Sequence, residues 1–140
     1  MKKYFSTSIT KVSLLIFSLV LISFSCKKKK DPHVPPDVVF KTGSGYTSGN
    51  SNVTKNDTLL VGITATKTED DLKSYNASVA FDGASTTTTF YNYLMTPSEV
   101  SRYSKDLSII TRNKAGSEKW VFSIVDRDGN ITQKTLVLSV

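Results

Sequence analysis

Residues 117–140 read SEKWVFSIVDRDGNITQKTLVLSV, and this stretch decides the fold. Large apolar side chains occupy every second position in both of its halves: Trp120, Phe122, Ile124, Leu136, Leu138 and Val140. A period of two is typical of β-strands that bury one face. Between the halves lies DRDGN, in which Gly129 can take the positive φ that a tight turn requires. The stretch therefore predicts a β-hairpin with Trp120 in the core.

Alternating apolar and polar residues continue through the rest of residues 37–140. The runs that show this pattern are 38–40, 59–66, 75–82, 86–93 and 106–111. They are rich in Thr, Val, Ile and aromatic residues, and Gly, Asn and Asp fill the gaps between them. Together with the hairpin they make about seven short strands, which predicts an all-β antiparallel sandwich. One capping box, Thr96-Pro97-Ser98-Glu99, predicts a single helical turn ending near Tyr103.

The N-terminal region, residues 1–25, has the pattern of a secretory signal peptide. Lys2, Lys3 and Lys11 make its start cationic, and residues 12–24 are apolar apart from serines. That run is too short to span a bilayer, which takes about 20 apolar residues. It does match the hydrophobic region of an export signal.

Ser23-Phe24-Ser25-Cys26 follows this run and resembles a lipobox, the segment of bacterial lipoprotein precursors whose cysteine receives diacylglycerol. The usual pattern has Leu three residues before the cysteine, where this chain has Ser23. The resemblance implies a lipid on Cys26, which is the only cysteine of the chain. The alternative is ordinary cleavage after Ser25 and a secreted, unlipidated protein, because Ser23 and Ser25 are small residues at the two positions that such cleavage requires.

Residues 26–36 are predicted to form a tether to the membrane. Lys27–Lys30 would contact anionic headgroups, where each lysine contributes about 1 kcal/mol. Three prolines stiffen residues 31–36. The arrangement resembles short lipoproteins of the Bacteroidota, in which an acidic stretch after the cysteine accompanies export to the cell surface. Lysines stand there in this chain, so the resemblance implies a position facing the periplasm rather than the cell surface.

The final hairpin carries a second resemblance. Residues 118–130 are similar to the last hairpin of bacterial immunoglobulin-like and PKD-like domains, in which an aromatic strand precedes Asp-x-x-Gly-Asn. The resemblance implies an immunoglobulin-like sandwich over residues 37–140 and brings no catalytic residues with it. The cysteine pair of antibody domains is absent, because no cysteine follows Cys26.

The net charge of +6 does not indicate a nucleic-acid partner. Of the 18 Lys and Arg, seven precede residue 37, and of the 12 Asp and Glu only Asp31 does, so residues 37–140 hold 11 of each sign. A protein that follows a phosphate backbone needs a basic face, and this body is neutral.

The chain offers few groups for catalysis. His33 is its only histidine and lies in the linker, so the body lacks a nucleophile and base pair and a soft-metal cluster. We therefore expect no enzyme activity and no cofactor. The acidic cluster Glu69-Asp70-Asp71 leaves an enzyme using carboxylates alone as an alternative. A solvated turn between two strands is the preferred interpretation, because neighbouring carboxylates in a polar loop need no partner.

Three further groups of residues are candidate sites. Asp126, Asp128 and Asn130 place oxygen atoms at alternate positions, as Ca²⁺ loops do, although the EF-hand spacing is not matched and a turn alone explains them. Asp57-Thr58-Leu59 resembles the O-glycosylation site of exported Bacteroidota proteins, which implies a glycan on Thr58.

Tyr91 and Tyr93 are the third group. If Phe90 fills the core, these two rings point outward together and can stack on a sugar or contact a protein partner. The preferred interpretation is that they cover a neighbouring strand as cross-strand pairs.

The sequence thus predicts a lipid-anchored, noncatalytic lipoprotein of the cell envelope, whose β-sandwich serves as an interaction or spacer module. Its partner would be an envelope protein or a glycan. A glycan-binding accessory lipoprotein that uses exposed aromatic residues is the alternative within the binding class.

Overall fold

The computed structural model describes residues 33–140, so the predicted signal peptide, Cys26 and Lys27–Lys30 lie outside the described residues. Every regular element of this part is a β-strand, and there are eight where about seven were predicted. The strands are β1 Asp37–Phe40, β2 Ser51–Asn52, β3 Thr58–Thr66, β4 Leu72–Phe81, β5 Thr88–Leu94, β6 Arg102–Ile110, β7 Ser117–Asp126 and β8 Ile131–Ser139.

The strands form two packed sheets. One sheet has the order β1-β3-β6 and the other has the order β2-β8-β7-β4-β5. All neighbours pair antiparallel except β2, which pairs parallel to β8. The predicted final hairpin is confirmed, since β7 and β8 pair with Trp120 opposite Leu136, and Gly129 in the turn has a φ of 92°.

The core lies between the two sheets and is built from the alternate residues that the sequence pattern selected. Val61, Ile63 and Ala65 of β3 are buried, as are Phe122 and Ile124 of β7. Each large apolar side chain removed from water contributes about 1.5–3 kcal/mol to stability. The period of two therefore explains which face of each of these strands is buried.

Aromatic contacts complete the core. The rings of Phe40 and Phe122 meet edge to face between the sheets, with centroids 5.5 Å apart. Trp120 is 3% exposed, which confirms its predicted core position.

The alternation of apolar and polar residues did not predict the short strand β2. It is two polar residues long, and it forms because Val53 N donates to Ser139 O at 2.9 Å and Val137 N donates to Asn50 Oδ1 at 2.7 Å. The chain therefore passes from the first sheet in β1 to the second sheet in β2. Two residues are too few to show a period.

The predicted helical turn at Thr96–Glu99 is wrong as a helix but right as a capping interaction. Thr96 N donates to Glu99 Oε2 at 2.9 Å, and Glu99 N donates back to Thr96 O at 2.9 Å. The turn ends at Val100, because Leu72 N donates a hydrogen bond to Val100 O at 2.8 Å. Strand β6 then begins at Arg102.

The strand registers place most of the connections between strands at two opposite ends of the sandwich, which we call its poles. Residues 67–71, 95–101 and 127–130 lie at one pole, and residues 53–57, 82–87 and 111–116 lie at the other. The chain enters at the first pole, where β1 begins opposite Thr66. Hence the connections of the second pole lie at the far end of the domain from residue 33.

Candidate interaction site

The fifth strand has an irregularity that decides which of its side chains face the core. On β4, Ala77 pairs with Tyr91 while the next residue, Ser78, pairs with Thr89, so Phe90 is an extra residue in β5. Such a β-bulge sets two residues against one and shifts the alternation by one position. The side chains before and after Phe90 therefore do not follow one continuous alternation between the two faces of the sheet.

Because of this bulge, Phe90 and Tyr91 lie on the same face of the sheet, so a Phe90 that points toward the core does not turn Tyr91 and Tyr93 outward. Phe90 is 50% exposed, and its ring meets Trp120 edge to face with centroids 5.1 Å apart. Tyr91 and Tyr93 are half-buried and pack against the core. This arrangement agrees with the preferred interpretation of cross-strand packing, and a sugar-stacking role for the two rings stays a prediction.

Tyr91 and Tyr93 belong to a cluster of four tyrosines that joins the sheets. The ring of Tyr93 stacks on Tyr103 of β6 at 5.4 Å and on Tyr91 at 6.3 Å. Tyr75 of β4 lies 5.7 Å from both Tyr91 and Tyr103. Lys105 Nζ lies 4.9 Å from the centre of the Tyr91 ring, in cation–π geometry. The cluster holds the edge strand β5 against β6 of the opposite sheet.

The phenols of this cluster are kept in their neutral form. Burial raises the pKa of Tyr75 and of Tyr103. The hydrogen bond that Tyr93 Oη donates to Glu99 Oε2 at 3.0 Å raises the pKa of Tyr93. The hydroxyl of Thr96 donates to the same carboxylate and lowers the pKa of Glu99. At neutral pH these three phenols are therefore protonated, and Tyr93 donates its proton to the hydrogen bond with Glu99.

The outward side of β5 carries no charge. Asn92 and Leu94 alternate with the tyrosines and are exposed, Leu94 by 69%. Residues 83–98 contain no Asp, Glu, Lys or Arg. Leu94 is therefore an exposed apolar side chain on a neutral strand, on the face opposite to Phe90.

The candidate Ca²⁺ residues form a turn. Asp126 is 1% exposed, and its two carboxylate oxygens accept hydrogen bonds from Asn130 N at 2.8 Å and Asn130 Nδ2 at 2.9 Å. Asp128 Oδ1 lies 3.5 Å from Arg127 Nε. The hydrogen bonds within the turn thus engage both oxygens of Asp126. Residues 33–140 hold no group of three or more His, Cys, Asp or Glu arranged to bind a metal ion.

The interpretation of Glu69-Asp70-Asp71 as a solvated turn is wrong for Asp70. Asp70 is 8% exposed and forms an ion pair with Arg127, while Asp71 Oδ1 lies 2.8 Å from Lys67 Nζ. The ion pair with Lys67 lowers the pKa of Asp71. These contacts form because the connections 67–71 and 127–130 lie at the same pole.

Thr58 is exposed at the start of β3, and its backbone N–H donates to Asp57 Oδ1 at 2.9 Å. O-glycosylation there stays a prediction. Cys26, the predicted lipidation site, lies outside the described residues.

Sequence reasoning missed a charged network at the far pole. Glu118 is 1% exposed, and Arg112 pairs with Asp82 through Nη1 and Oδ2 at 2.7 Å. Ser117 N also donates to Asp82 Oδ1 at 3.1 Å. The guanidinium of Arg112 lowers the pKa of Asp82 to about 2. The only sequence signal for this network was Glu118 itself, a glutamate at a core-facing position of β7 two residues before Trp120.

The sequence matches no protein-family model and no curated protein. Residues 33–140 contain no helix long and apolar enough to cross a membrane. The fold and the edge therefore define this part of the chain as an all-β domain of two packed sheets.

Proposed function

We propose that the protein is a lipid-anchored, noncatalytic envelope lipoprotein whose β-sandwich acts as an interaction or spacer module. Two features of the sequence support the anchor: the apolar run of residues 12–24 ends next to the lone thiol of Cys26, and lysines follow it. The position of His33 in the linker supports a noncatalytic role, because the body then lacks an imidazole base. The lysines after Cys26 support a location facing the periplasm.

The strand order supports an immunoglobulin-like topology for the sandwich. In that fold, one sheet holds the first, second, fifth and fourth strands, the last of which has no counterpart here. The other sheet is built around the last hairpin and the third strand, with an added edge strand in variable-type domains. Here β1-β3-β6 form the first sheet and β8-β7-β4-β5 form the second. The pair β1 and β2 then corresponds to a first strand divided between the sheets.

The way the chain enters the domain is the observation that carries the spacer role. The hydroxyl of Thr68 donates to the carbonyl oxygens of Val34 at 2.9 Å and Pro35 at 3.0 Å, and the hydroxyl of Thr132 donates to Pro36 O. Residues 34–36 are therefore fixed to the body rather than hinged. The far pole, residues 53–57, 82–87 and 111–116, is the end of the domain opposite to this entry.

Metabolic labelling with a fatty-acid analogue tests the anchor. The wild-type chain should incorporate the label and fractionate with membranes, and Cys26→Ala should lose both properties. Cys26 is the only cysteine, so no second thioether site competes. Absence of label from the wild type, or equal labelling of Cys26→Ala, contradicts the proposal.

A further inference from the structure

The outer face of the five-stranded sheet carries almost no charge. Its side chains stand in rows that cross the strands, and neighbouring residues of a row lie about 4.8 Å apart. From the first pole to the far pole, the four rows are Leu94, Ser74, Val125 and Ile131; Asn92, Asn76, Ser123 and Gln133; Thr89, Ser78, Val121 and Thr135; and Ala80, Lys119 and Val137. Lys119 is the only charged residue in these rows. The outer face of the other sheet, by contrast, carries the ion pair of Lys41 with Asp106.

The second row, Asn92, Asn76, Ser123 and Gln133, contains hydrogen-bonding groups that the fold does not use. Gln133 Nε2 donates to Ser123 Oγ at 3.0 Å. Among the described residues, the amide side chains of Asn76 and Asn92 have no hydrogen-bond partner. An amide side chain both donates and accepts hydrogen bonds. The neighbouring strands β4 and β5 thus present free donors and acceptors side by side.

The face is lowest along the inner strands β4 and β7. In each of the first three rows, the end residues on β5 and β8 are exposed, and the two residues between them are half-buried or buried. Leu94 and Ile131, at the ends of the first row, are 69% and 55% exposed, whereas Ser78 in the middle of the third row is 6% exposed. Because Ser74, Ser78 and Ala80 are small, β4 forms the floor of a shallow trough between β5 and β8.

A recess of about 300 Å³ adjoins the far-pole end of this face. Its walls are Val137 and Ser139 of β8 and residues 50–52, and none of these residues is charged. Asn50 Oδ1 accepts the backbone N–H of Val137 at 2.7 Å, and Asn50 Nδ2 has no partner within the part of the chain that the structure describes. Pockets of about this size with a few polar groups hold small molecules. The recess therefore extends the uncharged, hydrogen-bonding surface beyond the fourth row.

We propose that this outer face binds a neutral polysaccharide, whose chain lies in the trough. Sugar hydroxyls donate and accept hydrogen bonds, so they match amide and hydroxyl side chains that carry no charge. A charged polymer would find Lys119 as its only partner of either sign in the four rows. An apolar partner would bury the amides of Asn76 and Asn92 without hydrogen bonds, which is a cost that sugar hydroxyls avoid.

This inference rests on the interaction role proposed above, for which it names the class of partner. It uses the domain alone and not the anchor. An unacylated Cys26 would therefore leave it standing, and a failure to bind polysaccharide would leave the anchor and the spacer role standing.

Affinity electrophoresis of the full chain, extracted from membranes in a nonionic detergent, tests the proposal. The native gels contain dextran, mannan, galactan or mixed-linkage β-glucan, which are neutral, or alginate, which is acidic. At least one neutral polysaccharide should retard the protein more strongly than alginate does. If none of the four does so, the proposal is overturned.

A double variant tests whether the binding uses this face. Asn92→Ala with Gln133→Ala removes the exposed amides at both ends of the second row and should raise the Kd for the polysaccharide on the order of tenfold. Ser104→Ala with Ser108→Ala is the matched control, because both serines are exposed on β6 of the other sheet, and it should leave the Kd unchanged.

Circular dichroism of both double variants checks that the fold is kept. Equal Kd values for the two double variants overturn the proposal. A dimer of the wild-type chain that only Asn92→Ala with Gln133→Ala dissociates would assign the face to a second copy and overturn it as well.

Discussion

The indole Nε1 of Trp120 donates a hydrogen bond to Glu118 Oε2 at 3.1 Å, and both side chains are buried. The other carboxylate oxygen of Glu118 accepts from the backbone N–H of Arg112 at 2.8 Å. One glutamate thus satisfies two donors that would otherwise be buried without acceptors. It links the strand β7 to the connection that precedes it.

Glu118→Ala should lower the free energy of unfolding by about 3 kcal/mol, because it leaves two buried donors unsatisfied. Glu118→Gln keeps one carbonyl acceptor and should lose about 1 kcal/mol. Urea-induced unfolding followed by circular dichroism measures both changes. Glu69→Ala, at an exposed position of the β3–β4 connection, is the control. Equal stabilities for Glu118→Ala and Glu69→Ala would refute the role of the buried carboxylate.

Asp82 should make stability depend on acid pH. Its pKa is lowered from 3.8 to about 2 by its hydrogen bonds to Arg112 and to Ser117 N. A carboxylate with a lowered pKa contributes stability that is complete above its unfolded-state pKa and is lost as the pH falls through the folded-state pKa. The wild type should therefore exceed Asp82→Asn in stability by a constant amount above pH of about 5, and the difference should disappear toward pH of about 2.

Asn tolerates the positive φ of 53° that Asp82 has, so the backbone is preserved in Asp82→Asn. Unfolding curves recorded over this pH range provide the measurement. A stability difference that does not change with pH would show that the carboxylate charge is not responsible.

Tyr91→Ala should reduce stability by about 2 kcal/mol, since its half-buried ring packs on Tyr75 and Tyr93. Asn92→Ala, at the next and exposed position, should change stability by less than about 0.5 kcal/mol. Thermal and urea unfolding measure the two effects. If Tyr91→Ala unfolds like the wild type, the ring is free for ligand contact and the packing role is wrong.

Gly62 should resist substitution although it lies within a regular strand. A Cβ atom there would lie 2.6 Å from Asp106 Oδ1 and 2.7 Å from both Lys41 Cδ and Tyr46 Cε1. Gly62→Ala should therefore displace the ion pair of Lys41 with Asp106 and lose about 1 kcal/mol of unfolding free energy. Gly49→Ala is the control, because nothing lies within 4 Å of its added Cβ. Equal stabilities of the two variants would contradict this account of Gly62.

The sequence was sufficient to predict the β7–β8 hairpin, the buried faces of β3 and β7, and the core position of Trp120. These features depend on local alternation and on one turn residue, Gly129. The sequence could not show that Phe90 and Tyr91 lie on the same face, because the bulge at Phe90 that shifts the phase of the alternation leaves no mark in the sequence.

The partners of Asp70 and Glu118 were also beyond the sequence pattern. Arg127 lies 57 positions after Asp70 in the sequence, and their contact depends on which connections share a pole. Glu118 can be buried because its carboxylate accepts hydrogen bonds from Trp120 and Arg112. A period of two in the sequence does not reveal these hydrogen bonds. Long-range pairing of charges is decided by topology, and topology emerges only from the assembled sheets.

Intact-mass spectrometry of the mature protein recovered from membranes tests the proposed anchor most directly. We expect the chain to begin at Cys26 and to carry the added mass of a diacylglycerol group. A mature chain that begins at Cys26 without an acyl group, or one that retains the leader, would contradict the account.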